Sequence, residues 1–130
     1  MTINANTRQL DELAAVFRHN AVRAQVQATA VVRRGALNVK NGWRANATAT
    51  AGRHARLYPA SISFDMRAHP AGASAEIGPD KGRPQGALGN LLEFGSVKNP
   101  PHMDGARALA AEATAFAAHV AAIGTQMGRG

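Results

Sequence analysis

The chain has 130 residues, 45% of them hydrophobic, no cysteine and a formal net charge of +7. That length sets a single domain, and the lack of cysteine excludes a disulfide framework and any thiolate metal site. Large apolar residues are scarce, with eight Leu, eight Val, four Ile and four Phe, while 29 alanines take their place.

Burial at about 25 cal/mol per Å² must offset about 1–2 kcal/mol of backbone entropy per residue, and alanine supplies little area. Stabilisation by neighbouring subunits is therefore expected. The opening Met1–Asn6 has no basic segment followed by an apolar run, so no signal peptide is expected. No unbroken apolar run approaches the ~18 residues of a membrane span, which predicts a soluble protein without membrane contact. The charge is asymmetric. Residues 1–58 hold nine Arg/Lys and two acids, whereas residues 59–130 hold six of each. An excess confined to one half points to a polyanionic partner or to a solvated helix face.

From Asn6 to Ala47 there is no proline, and apolar or small residues recur in steps of three and four. The stripe runs through Leu10, Leu13, Phe17, Ala21, Ala24, Ala28, Val31, Val32, Leu37, Val39 and Trp43. This period predicts a long helix over 7–47, with Asn6 and Gln9 as a modest capping box. Such a helix exceeds the size of a compact domain, so it must protrude or break, with Asn20, Gly35 and Gly42 as the candidate breaks. Ala47–His54 loses the period and reads as a loop. Ser61–Arg67 alternates polar and apolar residues, the clearest strand in the chain. The turn His69-Pro70-Ala71-Gly72 then allows Ala73–Ile77 to return antiparallel. Residues 78–87 form a glycine- and proline-rich loop within a β-rich part spanning 57–99. A closing helix over 103–123, with Leu109, Ala113, Phe116, Val120 and Ile123 on one stripe, precedes a frayed tail, 124–130. The expected fold is α+β: a long N-terminal helix, a small antiparallel sheet with a long loop, and a C-terminal helix.

The chemistry of enzymes is missing from this pattern. His19, His54, His69, His102 and His119 are scattered, with no H-E-x-x-H spacing. Lys81 precedes Gly82 instead of following a second glycine, so the glycine-rich loop fails as a phosphate cradle, and there is no G-x-S-x-G elbow. No enzymatic activity, cofactor, metal or small-molecule substrate is expected. Trp43 and Tyr58 bracket Arg44, Arg53 and Arg56, as in a single-strand-binding groove, but a core tryptophan on the inner helix face explains Trp43 better. With Arg33 and Arg34, these arginines are the candidates for non-specific contact with DNA or with an acidic partner.

The most informative stretch is Leu88-Gly89-Asn90-Leu91-Leu92-Glu93-Phe94-Gly95-Ser96, followed by Pro100-Pro101 and the alanine-rich helix. It resembles the C-terminal signature of the tail-completion (neck) proteins of long-tailed double-stranded DNA phages. There, a small-residue and apolar stretch runs into Glu-aromatic-Gly-Thr/Ser, a proline pair and a closing helix. The long alanine- and arginine-rich helix from Leu10 to Ala47, the Ser61-Ile62-Ser63-Phe64 strand and Glu76-Ile77-Gly78-Pro79 also match that family's order. Its Pro-x-Asp-Thr-Gly stretch is absent, replaced by Ala51–Pro59. The resemblance implies a structural protein of the virion neck, assembled in the host cytoplasm. It would form a ring, commonly a hexamer, between the tail-terminator and head-closure proteins. Leu91, Leu92, Glu93, Phe94, Gly95, Pro100, Pro101, Lys81 and Arg83 are the expected interface residues; Glu93, flanked by apolar residues, is either exposed or paired with an arginine, with an arginine of a neighbouring subunit preferred. Read as a single chain, Phe94 and Leu91 or Leu92 are core anchors and Gly95 takes a positive φ or admits close backbone approach. The alternatives are another connector component, either the head-closure or the tail-terminator protein, and a small basic DNA-binding protein.

Overall fold

A computed structural model describes residues 7–69 and 72–128, without the side chains of 7–14, 16, 17 and 126–128. Asn6 of the capping pair, Pro70-Ala71 of the turn and the end of the tail lie outside the described residues. The fold is α+β, with two long helices and one β-hairpin.

Helix α1 spans Thr7–Thr50 without interruption, 44 residues and about 66 Å at 1.5 Å per residue. None of the three candidate breaks interrupts it. Gly35 and Gly42 instead sit where the C-terminal helix α4 (Asp104–Gly128) packs across α1. A Cβ at Gly35 would lie 2.8 Å from Phe116, and one at Gly42 would lie 3.3 Å from Ala108. Close approach of the two helices thus outweighs the intrinsic cost of glycine in a helix. The helix also runs through Ala47–Thr50, which the lost period had marked as loop. Thr48 Oγ1 donates to the Arg44 carbonyl at 2.7 Å, and Thr50 Oγ1 to the Asp104 carboxylate at 2.8 Å.

Helix α4 packs antiparallel to α1. Asn46 Nδ2 donates to the Asp104 carbonyl at 3.0 Å, and Asn38 Nδ2 to the Glu112 carboxylate at 3.2 Å. Helix α4 is helical through Gly128 instead of stopping at Ile123. Over Asp104–Thr125 it is long and apolar enough to cross a membrane, by length and composition alone, and little of that span is buried. Counting unbroken apolar runs misses this because Arg107, Glu112 and His119 interrupt its alanines.

Between the long helices the chain forms a short helix α2 (Tyr58–Ser61), the strands β1 (Ile62–His69) and β2 (Gly72–Pro79), and a short helix α3 (Gly89–Phe94). Apart from the hairpin, the 57–99 region is therefore short helices and turns, not further strands. Ser61 ends α2, where its hydroxyl bonds the Tyr58 carbonyl at 2.6 Å, and does not begin the strand. The strands pair antiparallel from Ile62 opposite Pro79 to His69 opposite Gly72. Phe64 and Met66 pair with Ile77 and Ala75 on the half-buried face, while Asp65 opposite Glu76 and Arg67 opposite Ser74 are exposed. That alternation is what a strand with one packed face requires. The hairpin lies along α1, and Gln25 Nε2 reaches the Gly72 carbonyl at 2.7 Å.

The core is small and sits at one end. Ala47, Ala55, Tyr58 and Ile62 are buried together, with Trp43, Ile77, Leu88 and Leu92 packed against them. At the other end the antiparallel pairing sets the last turn of α4 opposite about Val22. The hairpin ends level with Gln25. The first turns of α1, from Thr7 to Asn20, run on past both for about 21 Å.

Candidate functional site

The residues that carry the neck-like signature form a joint between α3 and α4. Glu93, on the last turn of α3, is buried. Its two carboxylate oxygens accept hydrogen bonds from the backbone N–H groups of Gly105 and Ala106, at 2.9 and 3.0 Å. These are first-turn amides of α4, which have no carbonyl partner within their own helix. A carboxylate there also meets the positive end of the helix dipole. Glu93 is thus held within its own chain, and this replaces the expected arginine of a neighbouring subunit as its partner.

The connection from α3 to α4 is pinned around that contact. Gly95 caps α3 at φ +78, as expected of a glycine there, and its N–H bonds the Leu91 carbonyl at 2.9 Å. His102 N–H reaches the Leu92 carbonyl at 2.9 Å and Met103 N–H reaches the Glu93 carbonyl at 3.1 Å. Met103 is held in the left-handed region, φ +54, where a non-glycine residue is strained. Gly105 follows with no room for a side chain, since a Cβ would lie 2.7 Å from the Trp43 ring. Trp43 is therefore a packing residue under the start of α4, as its place on the inner helix face predicts.

A second buried acid completes the joint. Asp104 is 1% exposed and accepts from Thr50 Oγ1 at 2.8 Å and from Arg107 at 2.7 Å. The His102 Nδ1 atom lies 3.7 Å from it without a hydrogen bond. The sequence carries a local signal for Asp104, an acid just ahead of an alanine-rich helical run.

The apolar members of the motif divide. Leu92 packs on the core, whereas Phe94 is 66% exposed, Leu91 42% exposed and Val97 fully exposed. Phe94 is therefore not a core anchor, and Leu91 is one only in part. Pro100 and Pro101 are exposed on the connection. Phe94, Asn90 and Glu93 line one side of an open cleft of about 670 Å³ whose other walls are the hairpin, Lys81 and Arg83.

The candidate arginines also separate. Arg44 is a structural tie, its guanidinium donating to the Ile62 carbonyl at 2.6 and 2.9 Å. Arg83 reaches the Ala60 carbonyl at 3.3 Å and the Asp80 carboxylate at 3.5 Å, and Lys81 is exposed beside it. Arg33 and Arg34 are exposed midway along α1, and Arg53 and Arg56 at the turn that follows it, with no acidic partner among the described residues. Also among the described residues, no three His, Asp or Glu side chains converge to hold a metal ion.

Tyr58, the single tyrosine, is 1% exposed. Burial raises its pKa. The neighbouring Trp43 side chain opposes that rise, and the charges of Glu93 and Asp104 add to it by smaller amounts. The folded chain therefore holds the phenol proton more tightly than the unfolded chain. This contribution to stability is complete below about pH 10, the ordinary tyrosine value, and is lost as pH rises through the folded value. In an alkaline titration, tyrosinate absorbance should appear later than for free tyrosine and together with loss of helical circular dichroism. Ionisation at the ordinary value with the helix intact would contradict the burial of Tyr58.

No family model, no curated protein and no solved structure matches this chain.

Proposed function

We propose that this chain is a structural protein of a phage neck, forming a ring that completes the tail and helps join it to the DNA-filled head. One observation carries the reading beyond the sequence resemblance. The stretch that resembles the neck signature presents Leu91, Phe94 and Val97 to solvent in the single chain, on a scaffold that Glu93, Gly95 and Gly105 hold fixed. Exposed large apolar groups on a braced surface are what a subunit interface needs. The thin core and the exposed alanine face of α4 favour the same reading, because neighbours in an assembly supply the missing burial. The partners are further copies of the chain, commonly six, with the tail-terminator and head-closure proteins on either side.

The experiment is electron microscopy of lysates from a phage that lacks this gene. Filled heads and finished tails lying unattached, with whole particles restored by the protein supplied in trans, are the expected result. Normal infectious particles would overturn the proposal.

A second reading, a small basic DNA-binding protein, has Arg33, Arg34, Arg53 and Arg56 in its favour, all exposed and without acidic partners among the described residues. It predicts DNA binding by the isolated chain that weakens steeply with salt. The neck reading predicts little affinity at physiological salt.

A further inference from the structure

Strands β1 and β2 pair with each other and, among the described residues, with no third strand. The two outer edges of this hairpin differ in their surroundings. The β2 side faces α4, since Ala75, Leu109 and Phe116 line one cavity between them. The β1 edge lies on the far side. Asp80 N–H bonds the Ser61 carbonyl at 2.8 Å, which sets the hydrogen-bonded pairs of the hairpin at Ser63–Gly78, Asp65–Glu76 and Arg67–Ser74. Phe64, Met66 and Ala68 therefore turn their N–H and C=O groups outwards. The Ile62 carbonyl, next on that edge, is already taken by Arg44. The remainder has neither a proline nor a bulge, devices that keep an open edge from pairing.

The exposed face of the hairpin carries a matching electrostatic signal. Asp65 stands directly opposite Glu76, and like charges so placed destabilise a cross-strand pair. No cation pairs with Asp65 among the described residues. Arg67 lies 3.4 Å from Glu76 and is well exposed. A second β1 strand, antiparallel to the first, must bring its outward-facing backbone groups level with Phe64, Met66 and Ala68. Registers that pair most of the strand centre on Asp65, Met66 or Arg67. A centre at Asp65 sets Asp65 against Asp65, and a centre at Arg67 sets Arg67 against Arg67. A centre at Met66 sets Asp65 of each copy against Arg67 of the other, and Phe64 against Ala68. Charge selects that register.

We infer that β1 pairs with β1 of a second copy across a two-fold axis at Met66, joining two hairpins into a four-stranded antiparallel sheet. Each Arg67 then lies between Glu76 of its own hairpin and Asp65 of the second copy, which relieves the repulsion between the two acids. Helix α1 packs more on β2 than on β1, so the two copies of α1 lie side by side on one face of the joined sheet. A lone hairpin is marginal, whereas four strands with one packed face make a stable sheet. The contact joins the same surface of both copies and closes at two. It concerns the free chain and does not rest on the neck reading.

Analytical ultracentrifugation of the purified full chain tests it. The wild type should sediment as a dimer. Asp65→Lys and Arg67→Asp each set like charges against each other, and each should weaken dimerisation by about tenfold or more. Both positions are exposed, so helical circular dichroism should not change. Mixed together, the two variants have opposite charges at both contacts, and the mixture should dimerise like the wild type. A chain carrying both substitutions should pair with itself again. The natural chain has no cysteine, which allows a second measurement. Asp65→Cys mixed with Arg67→Cys should oxidise to a linked pair faster than either variant alone, because opposed residues of this kind bring their Cα atoms to about 4.5 Å.

A monomeric wild type would overturn the inference. So would single variants that assemble like the wild type, or a mixture no tighter than its components. None of these results touches the gene-deletion experiment, so failure of the pairing and failure of the neck role are read separately.

Discussion

Replacing Glu93 with alanine is expected to lower the stability of the chain by about 3–4 kcal/mol, since it removes two charge-assisted hydrogen bonds and the countercharge of a helix N-terminus. The Gly105 and Ala106 amides would be left without partners under the packed start of α4. Against the ~5–15 kcal/mol typical of small domains, that is a large fraction. At about 4 °C per kcal/mol for a domain of this size, the thermal midpoint should fall by roughly 12–16 °C. Glu93→Gln keeps the shape but offers one acceptor and turns an amide NH₂ towards the second backbone N–H, so about half the loss is expected. Thermal unfolding at low protein concentration, where assembly does not contribute, provides the measurement. Equal midpoints for wild type and Glu93→Ala would show that Glu93 does not cap α4.

Gly86→Ala is expected to cost about 2–4 kcal/mol, by forcing a methyl group into a backbone that is fixed on both sides. A Cβ at Gly86 would fall on the Asp80 carbonyl oxygen and 2.6 Å from its carbon. That carbonyl already accepts from Arg83 N–H at 3.0 Å, and Asp80 N–H is tied to the Ser61 carbonyl at 2.8 Å. Neither side can yield without breaking the turn that brings α3 to the hairpin. Gly82→Ala is the control. Its Cβ would meet only the Asp80 side chain, at 3.2 Å, an exposed group whose hydrogen bond to the Gly82 N–H can be exchanged for water at small cost. Denaturant unfolding should place Gly82→Ala near the wild type and Gly86→Ala well below it. Equal midpoints for the two variants would refute the close packing at Gly86.

The periodic elements were legible because their signal is local. A step of three to four along α1 and α4, and of two along β1, follows from which face each element buries. The continuity of α1 was not legible at Gly35 and Gly42, because what keeps the helix intact there is contact with Phe116 and Ala108, far along the chain. The joint was half legible. Gly95 announced its own conformation, but the partners of Glu93 are backbone amides more than ten residues away, and amides carry no residue signature. Phe94 misled for a related reason. Hydrophobicity says that a side chain gains from burial, but whether this chain or another covers it depends on elements that a single strand of sequence does not order. The charge asymmetry was visible in composition, yet only the fold separates Arg44, committed to the Ile62 carbonyl, from the exposed Arg33 and Arg34.

The antiparallel pairing of α1 with α4 joins two helices separated in sequence by the hairpin and the short helices. Asn38 meets Glu112 and Gly35 meets Phe116, so until α4 has been made the inner stripe of α1 has only the hairpin to lie against. Contacts so distant in sequence form late, and the growing chain carries an uncovered apolar helix face until its closing segment emerges. A ribosome stalled before Asp104 would hold a nascent chain prone to aggregation or chaperone capture. Emergence of α4 is therefore the step that covers this face of α1.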